Sequence, residues 1–143
     1  MCLIKIETTF QPPLEEELVG YKVYRFDGER YAQEFVGLRA SSRYKLGDTL
    51  IDNKKTPICI NGTDITYPTG FHIFTKLEEA IIWEGNDHDL RTVKVKYTNI
   101  VATGIQLYGD TKMLVDVAKQ LTLIEEYHHP DMLKNFNNHC CCR

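Results

Sequence analysis

Residues 70–85 read GFHIFTKLEEAIIWEG, and this stretch decides the predicted fold. Its apolar run, Phe71–Phe74, is typical of a buried strand. Thr75, followed three residues later by Glu78, matches a capping box and predicts the start of a helix. Gly85 is placed to end that helix. The stretch therefore predicts a strand that leads directly into a short helix.

Upstream, two glycine-containing turns predict β-hairpins. The first joins strands at 19–26 and 30–36 through Asp27-Gly28, because glycine accepts the positive φ of a tight turn. The second is centred on Asn61-Gly62, between short strands on either side. The polar segment between the hairpins, residues 37–56, contains a predicted turn at Lys45-Leu46-Gly47-Asp48, and loops of such length are often functional.

Downstream, the pattern changes to period two. Residues 91–97 alternate and predict a strand with one solvent-facing side. Asn99 is predicted to turn the chain, so that 100–106 runs back as the next strand. Residues after the break at Tyr108-Gly109-Asp110 fit both helix and strand, and we predict a short helix at 112–118 and a strand at 119–125.

Together these elements predict an α+β fold: a mostly antiparallel sheet of about five to seven strands with one or two helices packed on it. The length of 143 residues suits one domain. We expect residues 1–18 to be a lead-in whose first strand is broken at Pro12-Pro13. Residues 19–127 form the predicted α+β domain, and 128–143 form a His/Cys-rich tail that is predicted to be flexible.

Composition restricts the possible partners. A formal net charge of −3 gives no positive electrostatic potential that would attract a phosphate backbone, which disfavours nucleic acid as a partner. No segment approaches the roughly 20 apolar residues of a membrane span, and the first residues lack the apolar core of a signal peptide. We therefore expect a cytoplasmic protein without a membrane partner.

The five cysteines are poorly placed for a disulfide framework. Cys2 and Cys59 are isolated, and Cys140, Cys141 and Cys142 are contiguous. The tail leaves four interpretations open: soft-metal ligation, lipid attachment, oxidation sensing or an unstructured terminus, of which the last is favoured. Adjacent ligands rarely converge on one ion, so we expect no metal site and no cofactor.

The candidate ligand-binding residues are three arginines, one tyrosine and one histidine: Arg25, Arg39, Arg43, Tyr44 and His72. Arginines can clamp a phosphate, and tyrosine rings can stack on a base. An imidazole within an apolar strand can act as a base or as a ligand donor. Each has a structural alternative: surface solvation for the arginines, a half-buried strand position for Tyr44 and core filling for His72. We identify no catalytic residue.

Several segments resemble a group of uncharacterised small proteins of bacteriophages and bacteria. The matching segments are Gly20-Tyr21-Lys22-Val23-Tyr24-Arg25, Gly70-Phe71-His72-Ile73-Phe74-Thr75, 77–80, 93–95 and 101–104. The resemblance covers roughly residues 20–106 and implies a role in host interaction or counter-defence. It implies no specific ligand.

The outline of Gly70 to Ala80 is also similar to ADP-ribosyltransferase-like folds, in which a strand leads into a helix. That analogy implies Arg25, His72 and Glu125 as an ADP-ribose-handling set, although fold alone does not imply function.

Three hypotheses follow. The first is a non-catalytic binding protein that captures a nucleotide-like small molecule or a host protein. The second is the ADP-ribose-handling enzyme. The third is a structural or assembly component whose exposed strand edges pair with a partner. That partner could be a second copy of the chain, which would make a homo-oligomer. The sequence favours the first and leans away from an enzyme.

Overall fold

The computed structural model describes residues 3–33, 43–60 and 62–127. Within them the chain forms nine strands and one helix. The strands are β1 (Lys5–Leu14), β2 (Leu18–Phe26), β3 (Tyr31–Gln33), β4 (Thr49–Ile51), β5 (Ile58–Cys59), β6 (Thr66–Tyr67), β7 (Phe71–Phe74), β8 (Leu90–Tyr108) and β9 (Thr111–Glu126). The helix is α1 (Leu77–Glu84). The α+β class and the mostly antiparallel sheet are confirmed, but the strands outnumber the predicted five to seven.

The main sheet is organised around two long strands. It contains seven strands in the order β1-β8-β2-β7-β9-β4, with β3 beside β2, and β8 also pairs with β9. All of these pairings are antiparallel. Since β8 pairs with β2, β2 with β7, β7 with β9 and β9 with β8, these four strands form a closed ring of pairings.

Both faces of this sheet are buried, each in its own apolar cluster. Val23 and Phe74 belong to a cluster that α1 covers through Ala80. Their sequence neighbours Tyr24 and Ile73 belong to a second cluster. Because successive strand residues point to opposite faces, this division shows a sheet that packs on two sides. We call the second cluster the inner cluster; it consists of Tyr24, Tyr31, Ile73, Val93, Val95, Tyr97, Ile100, Ala118, Leu121 and Leu123.

Gly20 permits the close approach that completes the ring. A Cβ at this position would lie 2.7 Å from the Phe74 carbonyl oxygen, 2.8 Å from Ile73 Cγ2 and 2.9 Å from Tyr97 Cε1. The next residue, Tyr21, pairs with Phe74 and forms the β2–β7 contact. Any side chain larger than hydrogen would therefore push β2 away from β7.

The predicted turn at Asn99 is wrong, because β8 continues through it. Asn99 has a left-handed φ of 59°, and the β8–β9 register shifts between Ile100 and Ala102. Such a bulge bends a strand without reversing it. Residues of β8 before the bend pair with β2, and residues after it pair with β1.

The predicted helix at 112–118 is also wrong, since the whole segment belongs to β9. Met113, Val115 and Val117 are fully buried with period two. The intervening residues are themselves partly covered, which produced an apolar pattern that also fits a helix. The predicted break at Tyr108-Gly109-Asp110 is confirmed as the tight connection between β8 and β9.

The strand and helix predicted over 70–85 are confirmed, but the capping box is wrong. Lys76 occupies the N-cap position, and its side chain makes no cap hydrogen bond. Thr75 Oγ1 instead donates to the Leu114 carbonyl over 3.5 Å. Gly85 ends the helix as predicted, with φ of 59° and its N–H on the Ile81 carbonyl.

Both predicted hairpins are confirmed, although each connection is longer than two residues. β2 and β3 are joined by 27–30, where the Asp27 carboxylate accepts the N–H groups of Glu29 and Arg30. β5 and β6 are joined by 60–65, of which Asn61 lies outside the described residues. The predicted turn at 45–48 is present, with Gly47 at φ 98°.

The predicted break at Pro12-Pro13 is wrong, because both prolines lie in β1. β1 is the terminal strand of the sheet order and pairs with β8. Proline is tolerated in an edge strand, where no ladder hydrogen bond is lost. The peptide bond Gln11–Pro12 is cis. The tail 128–143 and part of the 37–56 segment lie outside the described residues.

Candidate functional site

Four aromatic rings gather where β2 ends and β3 begins. Tyr31 and Tyr44 exchange backbone hydrogen bonds of 2.8 and 2.7 Å. Tyr24 packs edge-on against both, with ring centroids 6.3 Å from Tyr31 and 6.4 Å from Tyr44. Phe26 lies 4.8 Å from Tyr31. This arrangement brings the predicted residue Tyr44 into contact with strands that precede it in the sequence.

An arginine and a carboxylate adjoin these rings. The Tyr31 hydroxyl donates to Glu126 Oε1 over 2.6 Å, and Arg91 Nε lies 3.7 Å from Glu126 Oε2. The Arg91 guanidinium also lies 5.4 Å from the centre of the Phe26 ring, within the range of a cation–π contact. We call this set the aromatic cluster; it consists of Tyr24, Phe26, Tyr31, Tyr44, Arg91 and Glu126.

Exposure is graded across the aromatic cluster. The side chains of Arg91 and Glu126 are 35% and 15% exposed, whereas Tyr31 is buried. Burial, followed by the hydrogen bond to Glu126, raises the pKa of the Tyr31 phenol, so the phenol stays protonated and donates. The result is a carboxylate held in a fixed orientation, with a limited opening to solvent.

The Tyr24 hydroxyl is buried, and no group in the described part of the chain hydrogen-bonds to it. The residue is 0% exposed, and burial, followed by the electrostatic influence of Tyr44, raises its pKa. Leaving a buried hydroxyl unsatisfied costs about 1–3 kcal/mol, so such a group calls for an explanation. The Lys22 ammonium lies 5.7 Å from the centre of the Tyr24 ring and donates to the His72 carbonyl oxygen over 3.0 Å.

The three predicted arginines have different positions. Arg43, next to Tyr44, forms an ion pair with Asp27 at the edge of the aromatic cluster. Arg25 forms ion pairs with Asp87 at 3.9 Å and Asp89 at 3.7 Å. Arg25 alternates with Tyr24 and Phe26 along β2, so it projects from the other face of that strand. Arg39 lies outside the described residues.

His72 is buried and both of its ring nitrogens have partners. Nε2 lies 2.9 Å from the Tyr67 hydroxyl, and Nδ1 lies 3.2 Å from the Gly70 carbonyl oxygen. Since a carbonyl only accepts, Nδ1 carries the proton and Nε2 accepts from Tyr67. The same hydroxyl accepts the Leu3 N–H over 3.0 Å. Burial, followed by the positive charge of Lys22, lowers the pKa of His72 to about 3, so the ring is neutral.

The residues of the enzyme hypothesis have separate partners. Arg25 contacts aspartates after α1, whereas Glu125 lies 3.8 Å from Lys94 and is 63% exposed. His72 is buried against Tyr67. No hydrogen bond or ion pair joins any two of Arg25, His72 and Glu125 in the described part of the chain. The shared cleft that this hypothesis requires is therefore not formed by these contacts.

Among residues 3–33, 43–60 and 62–127, no group of three or more His, Cys, Asp and Glu side chains is placed to hold a metal ion. Cys59 is a free, exposed thiol that donates to the Thr63 carbonyl over 3.0 Å. Cys2, Cys140, Cys141 and Cys142 lie outside these ranges, as do the histidines of the tail.

Sequence reasoning did not identify Lys22, Arg91 and Glu126. A signal was present for two of them. Lys22 is two residues from Tyr24, and Arg91 is two residues from Val93, so the strand period places both on the same face as the inner cluster. Glu126 had no such signal. Lys94 pairs with Glu125 but Val95 pairs with Leu123, and this register shift changes which residues at the end of β9 face inwards.

No protein-family model, curated protein or solved structure matches this chain. The helix of the described residues is too short and not apolar enough to cross a membrane.

Proposed function

We propose that this protein is a non-catalytic binding module that captures a nucleotide-like small molecule at the aromatic cluster. The observation that carries the proposal is the meeting of Tyr24, Tyr31 and Tyr44 with Arg91 at one end of the inner cluster. Stacking on aromatic rings favours a planar base, and an arginine favours phosphate or a carbonyl edge.

The polar chemistry of the aromatic cluster supports recognition of a ligand. Among the described residues the buried Tyr24 hydroxyl has no hydrogen-bond partner, and a ligand that entered beside Tyr44 would offer it one. Tyr44 and Arg91 are partly exposed, so a ligand can reach them. One predicted residue, Tyr44, belongs to the aromatic cluster, and a second, Arg43, precedes it in the chain and forms an ion pair with Asp27 at the edge of the cluster.

The experiment is a thermal-shift screen followed by calorimetric titration with AMP, GMP, ATP, cyclic nucleotides and ADP-ribose. A ligand that binds only the folded state raises Tm by mass action. At least one nucleotide is expected to raise Tm, and Tyr44→Ala is expected to weaken its binding by about tenfold, since stacking contributes about 1–3 kcal/mol per base.

The matched control is Tyr108→Ala. Tyr108 is 45% exposed and lies against Trp83 at the other end of β8, away from Arg91. Its removal is expected to leave nucleotide affinity unchanged. The proposal is overturned if no nucleotide shifts Tm, or if Tyr44→Ala binds as well as the wild type.

A further inference from the structure

We infer that the part of the ligand recognised at the aromatic cluster is a neutral base or nucleoside, bound through the Tyr24 hydroxyl, and that phosphate groups add little to its affinity. This inference rests on the proposed function and narrows its ligand class. It begins from the charges beside the rings. Arg91 and Arg43 are already paired with carboxylates, whereas no described group hydrogen-bonds to the Tyr24 hydroxyl.

Arg91 is engaged on several sides by the protein itself. Nη1 donates to the Leu90 carbonyl oxygen over 2.9 Å and to that of His88, and Nε lies 3.7 Å from Glu126 Oε2. The guanidinium also lies 5.4 Å from the centre of the Phe26 ring. A phosphate would have to compete with these contacts, because a guanidinium has a fixed number of donors. Arg91 therefore supports the rings and is not placed to clamp an anion.

The other charges near the rings also disfavour an anion. Arg43 forms an ion pair with Asp27. The Lys22 ammonium is 5% exposed and donates to the His72 carbonyl oxygen over 3.0 Å, so it is committed to the interior. A phosphate brought to the rings would lose its water and approach the carboxylates of Asp27 and Glu126. A neutral base loses far less hydration when it is buried.

The Tyr24 hydroxyl decides which kind of atom the ligand presents. Tyr24 is 0% exposed, and burial, followed by the electrostatic influence of Tyr44, raises the pKa of its phenol, so the hydroxyl stays protonated and can donate. Carbonyl oxygens and ring nitrogens of a base are acceptors that carry no charge. Tyr44, whose ring centre lies 6.4 Å from that of Tyr24, is partly exposed and marks the side from which a ligand enters.

The test is calorimetric titration of the full chain with adenosine and guanosine, each alongside its monophosphate and its triphosphate. The nucleoside is expected to bind within about threefold of its phosphates, because the base makes the stacking contacts and the hydrogen bond to Tyr24. The affinity is also expected to change little between about 0.05 and 0.5 M salt, since salt weakens charge pairs and no phosphate contact is made.

Tyr24→Phe separates recognition from a structural role. It is expected to weaken nucleoside binding by about threefold to tenfold, through the loss of one hydrogen bond. It should not lower the Tm of the ligand-free protein, because the hydroxyl that it removes leaves no described group without a partner. Tyr31→Phe is the matched control, since the Tyr31 hydroxyl donates to Glu126 over 2.6 Å and its removal should lower Tm.

A phosphate that improves affinity by about tenfold or more, or binding that weakens steeply with salt, overturns the inference and leaves the proposed function standing. The same holds if Tyr24→Phe binds as tightly as the wild type, or if it loses as much Tm as Tyr31→Phe. Binding of nucleotides without any binding of nucleosides also overturns the inference alone. If neither class binds, the proposed function fails as well. The phosphate and salt series decides without any variant.

Discussion

Tyr67 and His72 share a buried hydrogen bond of 2.9 Å between the tyrosine hydroxyl and Nε2. The same hydroxyl accepts the backbone N–H of Leu3 over 3.0 Å. One side-chain oxygen therefore joins three parts of the chain: the segment before β1, strand β6 and strand β7. Since all the groups involved are buried, water cannot replace any of them without cost.

Tyr67→Phe is expected to lower the free energy of unfolding by about 1–3 kcal/mol, because it leaves a buried N–H and a buried imidazole nitrogen without their partner. Urea denaturation measures the effect. Tyr108→Phe, at an exposed tyrosine, is the control and should change stability little. Equal stability of the two variants would show that the Tyr67 hydrogen bonds contribute nothing measurable.

The neutral state of His72 predicts a dependence of stability on pH. Burial, followed by the charge of Lys22, lowers its pKa from 6.5 to about 3. Between these values the unfolded chain binds a proton that the folded chain does not, so stability is greatest above the unfolded pKa and falls as pH decreases. One such group contributes a slope of at most about 1.4 kcal/mol per pH unit.

Urea denaturation at pH values from 7 to 4 measures this slope. His72→Gln should reduce the slope, and His88→Gln, at an exposed histidine, should keep it. If the His72 variant loses stability with acid as steeply as the wild type, His72 does not carry the effect.

Gly20→Ala is expected to destabilise the fold by about 1–3 kcal/mol, because its methyl group would meet Phe74 and Ile73 at 2.7 and 2.8 Å. Thermal denaturation should show a lower Tm. Val19→Ala, one residue earlier in β2 at a side chain that is 47% exposed, is the control with a smaller expected change. A Gly20→Ala protein as stable as the wild type would mean that β2 and β7 need no such close approach.

Thr92→Val is expected to lower the free energy of unfolding by about 1–3 kcal/mol. The Thr92 hydroxyl donates to Glu84 Oε1 over 2.7 Å, and both side chains are buried where α1 meets β8. Valine keeps the shape but removes a donor from a buried carboxylate. Thr8→Val, at an exposed threonine of β1, serves as the control for urea denaturation. An unchanged midpoint for Thr92→Val would contradict a role in holding the helix.

The resemblance to bacteriophage and bacterial proteins, the role in host interaction and the assembly hypothesis remain predictions. Within the aromatic cluster, sequence reasoning selected Tyr44 and placed Arg43 beside it. It also selected His72, which lies in an apolar strand that proved buried, but the partners of its ring are Tyr67 of β6 and the carbonyl of Gly70, just before β7. Tyrosine spacing alone did not show which rings would meet.

Local sequence determined the elements whose signals lie within a few residues. The run 70–85 specified a strand, a helix and the glycine that ends it, because side-chain periodicity and positive φ are local properties. Only the tertiary structure decided that β8 passes through Asn99 as a bend, that β9 is a strand throughout, and that Arg91 meets Glu126. Those outcomes depend on pairing between distant strands, where a register shift changes which side chains face inwards. Such a shift leaves no signal in the neighbouring residues of the sequence.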